Sequence, residues 1–336
     1  MSKTSFAVIG CGHIGKRHAA IIHGNAEAEL SALCDILPKD ELGLQAYDVP
    51  FFRDINTFLG SNPEVDVVNI CTPNGLHAAH AIAALQSGKH VVIEKPMALY
   101  AADCKEIIAT AEKMDRRVFC VMQNRFSPPS IWLKDIISKN ILGDIYYVQV
   151  NCFWNRDARY YTGKTWHGTK DLDGGTLFTQ FSHFIDTLLW LFGDIHHIHS
   201  DLADFNHDTL TAFEDSGVVH FRFNRGGLGS FHFSTSVFDA NYESSIRIIG
   251  SKGTVEVGGQ YMNEVKYCHI ENYTLPELPP TNAPNKYGAY TGSAANHHYI
   301  IQNVIDVLHG DAGIATTAME GMLVVDVIER IYAAGK

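Results

Sequence analysis

The 336-residue sequence has no long apolar run, no excess of basic charge and no closely paired cysteines. Each gap removes a class of protein. A membrane-spanning helix needs about 18 or more consecutive apolar residues, so none is expected. The 26 lysines and arginines are outnumbered by 37 aspartates and glutamates, a net charge of −11. No basic stripe is left to release counterions from phosphates, and no nucleic-acid partner is expected. Cys11, Cys34, Cys71, Cys104, Cys120, Cys152 and Cys268 are odd in number and show no C-x-x-C spacing, which reads as reduced, small core residues. Eighteen histidines invite a metal reading, above all His196, His197 and His199. They sit in an alternating, strand-like run, and no metal is expected. Met1-Ser2-Lys3-Thr4-Ser5 runs straight into a strand pattern without a leader-like segment, from which a cytoplasmic location is expected.

What is present is enough apolar sequence, 46% of the residues, to bury more than one core. Over residues 1–124 short β-branched runs alternate with helical patterns: Phe6 to Ile9, Leu30 to Cys34, Val65 to Ile70, Val91 to Ile93 and Val118 to Val121. That alternation is βαβ grammar and predicts a doubly wound parallel sheet. From residue 125 the pattern changes. A helix over Ile131 to Ile137, a strand near Ile145 to Val150 and a helix from Thr176 to Leu191 precede alternating runs such as Val219-His220-Phe221-Arg222-Phe223. Such runs predict an α+β domain with a mainly antiparallel sheet, one face buried and one open to water or a partner subunit. Helices over Ala294 to Leu308 and Thr317 to Ala333 close the chain, and Pro276, Pro279, Pro280 and Pro284 mark an arm or lid.

Gly10-Cys11-Gly12-His13-Ile14-Gly15 follows the first strand and opens a helix. Glycines there permit a tight turn and close approach of backbone to pyrophosphate, while the helix amides face its charge. Asp35 ends the second strand, where a carboxylate can accept from ribose hydroxyls and would repel a 2′-phosphate. No arginine follows within Ile36-Leu37-Pro38, so NAD is favoured over NADP. A helix N-cap is the other reading of Asp35.

Further on, Cys71-Thr72-Pro73-Asn74-Gly75-Leu76-His77 closes one strand, Glu94-Lys95-Pro96 closes the next, and Gly174-Gly175-Thr176 leads a helix carrying Thr179, Gln180, His183 and Asp186. Together with the glycine loop these resemble the Gfo/Idh/MocA oxidoreductases over essentially the whole chain. The resemblance implies an NAD-binding Rossmann domain over 1–124 and a substrate-binding and oligomerisation domain over 125–336. It implies cofactor contacts from Gly10, Gly12, His13, Ile14, Asp35, Thr72, Asn74, His77, Glu94, Lys95, Asn124 and Trp166, and a homodimer or homotetramer. It places Lys95 beside nicotinamide and substrate, followed by a proline that is often cis.

Alcohol oxidation needs a base for the hydroxyl proton as hydride leaves the same carbon. His183 is the expected base, since imidazole titrates near neutrality, and Lys95 as an ammonium orients the hydroxyl. A packed helical histidine and a Lys95–Glu94 surface pair are the plain alternatives. By α-helical spacing Thr179, His183 and Asp186 share one face. Thr179 stands where many relatives carry aspartate. That change, Gln180, Trp166-His167-Gly168-Thr169 and the segment Tyr287 to His297 are similar to the branch oxidising C3 of UDP-2-acetamido-2-deoxyglucuronate. Substrate contacts are expected from Lys95, Arg156, Arg159, Tyr160, Thr179, Gln180, His183, Tyr290 and Asn296, with a helix N-terminus near Ser293 as an anion site. Other sugar or inositol dehydrogenases, NAD-dependent glycosidases and non-catalytic dinucleotide-binding regulators share these motifs.

Overall fold

The computed structural model describes residues 3–61, 64–163, 166–288 and 290–335. Met1 and Ser2 of the amino terminus and Ala289 of the Tyr287 to His297 segment lie outside the described residues. Two compact units form, one from Met1–Val121 with His297–Val325, the other from Met122–Asn296 with Asp326–Lys336.

The first unit is built on a six-stranded sheet: β1 (Thr4–Ile9), β2 (Ala28–Cys34), β3 (Phe51–Phe52), β4 (Val67–Ile70), β5 (His90–Ile93) and β6 (Val118–Cys120). All neighbours run parallel in the order β3-β2-β1-β4-β5-β6. The strands are apolar on both faces because helices cover both. These are α1 (His13–Gly24), α2 (Ile55–Gly60), α3 (His77–Gln86) and α4 (Ala101–Met114). The chain reverses direction across the sheet between β1 and β4. The loops leaving β2, β1, β4 and β5 therefore gather at one carboxyl edge, where ligands of such sheets bind.

The second unit opens with α5 (Pro128–Ser138), β7 (Ile145–Phe153), α6 (Ala158–Tyr161) and α7 (Ser182–Phe192). Its seven-stranded sheet adds β8 (Ile195–Ala203), β9 (Ser216–Phe223), β10 (Leu228–Ser234), β11 (Glu243–Gly250), β12 (Gly253–Gly258) and β13 (Glu264–Ile270), in the order β13-β12-β11-β7-β10-β9-β8. Among its described strands only β7 and β10 pair in parallel. On β9 and β10, Val219, Phe221, Phe223, Phe231 and Phe233 point inward as their alternation requires, each burial stabilising by about 1.5–3 kcal/mol. Against that face packs α7, buried on nearly every side.

Three local expectations need correction. The helix expected from Thr176 begins as a π-turn over Leu177–Phe181 before α7 takes over. Its polar side chains bond outward in place of the ladder: Thr176 Oγ1 donates to the Glu214 carbonyl at 2.6 Å, and the Thr179 hydroxyl donates to the Asp173 carboxylate. An i→i+5 turn holds more than four residues, so Thr179 and His183 lose their α-helical register. Residues around Ser293 form no helix start; Tyr290–Ala294 is strand β15, paired with β14 (Pro284–Tyr287). The helix begins instead as α8 (His297–His309), whose apolar face joins the first unit, and α9 (Ala318–Ala334) ends the chain.

Candidate active site

In the first unit the motifs meet as the strand order dictates: Gly10 follows β1, Asp35 follows β2, Thr72 follows β4 and Glu94-Lys95 follows β5. Gly10 has φ +85°, and a Cβ there would lie 2.7 Å from the backbone of Cys71 and Thr72. At Gly15 a Cβ would stand 1.8 Å from the Gly10 carbonyl oxygen, so only glycine lets α1 rest on the loop. Gly12 differs: a Cβ there meets nothing within 4 Å, leaving the space a pyrophosphate would enter. Among the described residues no side chain caps α1, and its first turn holds no acid, which leaves the amino end of its dipole for an anion.

His13 and Ile14 begin that helix. Asp35 Oδ2 accepts the Cys11 amide at 2.6 Å and Oδ1 the Leu37 amide at 2.8 Å, so the carboxylate ties the glycine loop to the end of β2. Thr72 Oγ1 lies 3.1 Å from His80 Nδ1, and buried Asn74 opens a short 3-10 turn. His77 is buried between two backbone carbonyls, those of Thr72 and Pro96. The Lys95–Pro96 peptide is cis.

Glu94 gathers partners that sequence reading passed over. Its Oε1 accepts from His18 Nε2 at 2.9 Å and lies 3.5 Å from His297 Nε2; its Oε2 accepts the Lys95 amide at 3.2 Å. His18 Nδ1 in turn meets Asn69 Nδ2 at 2.8 Å. Burial opposes ionisation of Glu94, but the bonds and charge of the two imidazoles outweigh it and hold the carboxyl well below its usual range. A signal for this network existed: Asn69 is a lone amide within the otherwise apolar strand Val67–Ile70, and a buried amide needs a partner.

In the second unit Arg156, Tyr160, Gln180 and Tyr290 come together. Arg156, 2% exposed, donates through Nε to Gln180 Oε1 at 2.8 Å, through Nη1 to the Asn155 carbonyl and Asn241 Oδ1, and through Nη2 to the Thr291 carbonyl. Its guanidinium carbon lies 4.9–5.4 Å from the rings of Trp154, Tyr160 and Tyr290. Gln180 Nε2 donates to Tyr160 Oη at 2.9 Å, so the arginine and the tyrosine fix both ends of the amide. Arg159 is half exposed and bonded to Asp157 and Asp239, on a 580 Å³ cleft also lined by His207 and Ser236. His183 is buried on the first turn of α7, directly after the π-turn. Asp186 faces Arg125. Asn296 is buried, donating to the Gln123 carbonyl and Ser127 Oγ and accepting from Asn282. Asn124 donates to Ser293 Oγ at 3.3 Å, and the Trp166 ring lies on His167. All seven cysteines are free thiols, and no described helix is long and apolar enough to cross a membrane.

A parallel sheet in this order, glycines where backbone must approach backbone, an uncapped helix and an acid after β2 define an NAD-dependent dehydrogenase. The model of the oxidoreductase family with an NAD-binding Rossmann fold matches residues 4–122, and that of the Gfo/Idh/MocA C-terminal domain matches 131–256. The chain belongs to the Gfo/Idh/MocA family. It is similar to the WlbA dehydrogenase of Bordetella pertussis, solved in complex with NADH and UDP-GlcNAcA: 32% identical, 99% of this chain and 96% of that one covered, TM-score 0.89. The WlbA enzyme of Chromobacterium violaceum, solved with the same two molecules, is 30% identical over 100% of this chain and 94% of its own, TM-score 0.89. An uncharacterized oxidoreductase of Synechocystis is 25% identical over 275 residues, 78% of this chain and 73% of that protein. Of other curated relatives the chain spans about half the length or less.

Proposed function

We propose that this chain oxidises a ring hydroxyl of a sugar, the C3 hydroxyl of UDP-2-acetamido-2-deoxyglucuronate. The observation that carries the reading is the 32% identity, over 99% of the chain, to a dehydrogenase crystallised with NADH and UDP-GlcNAcA. NAD, when bound, supplies the carbon that accepts the hydride. The protein's own residues handle the proton and the orientation. His183 takes the hydroxyl proton, and Lys95 as an ammonium orients that hydroxyl and stabilises the developing alkoxide. Arg156 acts through Gln180, whose amide it holds, while Tyr160 and Tyr290 offer ring surface beside it. We assign substrate binding and subunit association to residues 125–336, the association to the polar face of the large sheet, with a dimer or tetramer as its product.

Incubation of the protein with NAD and the UDP-uronate is expected to raise absorbance at the NADH band, and Lys95→Ala to abolish the rise. No NADH with any UDP-uronate, alongside turnover of myo-inositol or a simple aldose, would overturn the nucleotide-sugar assignment and leave a sugar or inositol dehydrogenase.

A further inference from the structure

His77 begins α3, 1% exposed, with Nδ1 2.7 Å from the Pro96 carbonyl oxygen and Nε2 2.8 Å from that of Thr72. A carbonyl oxygen can only accept. A neutral imidazole carries one N–H and one lone pair, so either tautomer would leave a lone pair facing a carbonyl oxygen at hydrogen-bond distance. Only the doubly protonated ring donates to both. Burial, the largest influence on this ring, outweighs the two carbonyl bonds and Glu94 and with Lys95 brings its pKa below the ordinary 6.5; the two carbonyl oxygens at hydrogen-bond distance oppose that shift and are what favour a proton on each nitrogen. His80, one turn further along α3, senses the charge of His77.

We propose that His77 is a buried imidazolium that staples the Thr72 loop to the Lys95–Pro96 segment, and that with Glu94 it positions Lys95. The proposal rests on Lys95 being the residue that orients the sugar hydroxyl. Glu94 holds the lysine on its amide side through the 3.2 Å bond from the Lys95 N–H, and His77 holds the next carbonyl along, that of Pro96. The root of the lysine side chain is thus fixed before and after its own Cα. Glu94 can serve because it is a carboxylate. The His18 N–H, the Lys95 amide and the His297 ring converge on its two oxygens, and an amide would turn an NH2 group toward one of those donors. His18, Glu94 and His297 also offer atoms close enough together for a metal, and the 2.9 Å His18–Glu94 distance is within hydrogen-bond range.

The first test needs no turnover. The ¹⁵N-resolved imidazole spectrum at pH 7, with the His77 signals assigned by their loss in His77→Gln, is expected to show both ring nitrogens protonated. The split shifts of a neutral ring would overturn the staple. The second test reads kcat, KM for UDP-2-acetamido-2-deoxyglucuronate and Kd for NAD in His77→Gln and Glu94→Gln, with Glu94→Asp standing in if the amide variant does not fold. A positioning role lowers kcat about tenfold or more at saturation while KM and Kd stay within about twofold. Unchanged kcat in both variants overturns it, as does a loss confined to the Kd for NAD, which would make the two residues cofactor contacts. Lys95→Ala separates the two ideas. If it keeps wild-type kcat, the reading of Lys95 fails and takes the staple's purpose with it; if it is inactive while both other variants are normal, only the staple fails. Should the wild-type protein not oxidise this sugar, the imidazole spectrum alone decides.

Discussion

Arg125 grips Asp186 with two hydrogen bonds, Nε to Oδ2 at 2.9 Å and Nη2 to Oδ1 at 2.6 Å, both side chains buried. Bidentate geometry of this kind is strong, and it ties the 3-10 turn Gln123–Phe126 to α7, three residues past His183. Removing one partner leaves the other charge uncompensated in a low-dielectric interior. Asp186→Asn should therefore cost about 3–5 kcal/mol in denaturant unfolding. A double variant with Met at 125 and Leu at 186 should recover most of that loss; no recovery would mean the pair contributes more than mutual neutralisation.

Glu214 gives a pH-dependent prediction. Burial pushes its carboxyl up to about 7, against a bond of 2.6 Å from Tyr332 Oη. In the unfolded chain the group releases its proton near the ordinary value of 4.5, so between 4.5 and about 7 the folded state holds the extra proton. Stability from this group is then full at low pH and lost as pH rises through that window, in all about 3 kcal/mol. Glu214→Gln should match the wild type near pH 4.5 and exceed it increasingly up to pH 8. A constant gap across that range in urea titrations would remove Glu214 as the source.

The glycine loop separates folding from binding. Gly15→Ala sets a methyl 1.8 Å from the Gly10 carbonyl oxygen and must push α1 away, so both Tm and NAD affinity should fall. Gly12→Ala adds a methyl that, among the described residues and beyond its own chain neighbours, meets nothing within 4 Å. It should keep Tm and weaken NAD about tenfold or more, about 1.4 kcal/mol, by filling the pyrophosphate's space. Fluorescence titration with NAD beside thermal melts distinguishes the two, and equal behaviour of the variants would refute the distinction.

Much of this was legible in the residues because it is local. Period-two alternation at Val219, Phe221 and Phe223 names the buried face of β9, and the run Phe6-Ala7-Val8-Ile9 before Gly10 places the glycine loop on a strand, because backbone geometry repeats over short distances. The π-turn at Leu177–Phe181 was not legible, since it depends on Thr176 reaching Glu214 and Thr179 reaching Asp173, groups distant or unaligned in sequence. Arg156 reads from the sequence as a substrate contact. Only packing reveals that its donors are occupied by Gln180, Asn155, Asn241 and Thr291.

By itself the sequence determined a parallel nucleotide-binding sheet, a second, mainly antiparallel sheet with one apolar face, and the loops that carry Gly10, Asp35, Thr72 and Lys95. Those follow from side-chain periodicity and from what glycine and carboxylates alone can do. Only the tertiary structure decided that His297, more than 200 residues after Glu94, reaches its carboxylate, and that His77 lies between two carbonyls. Hydrogen-bond partners of buried polar groups are chosen by proximity in space, and no local pattern encodes a distance between segments that meet only when the core closes.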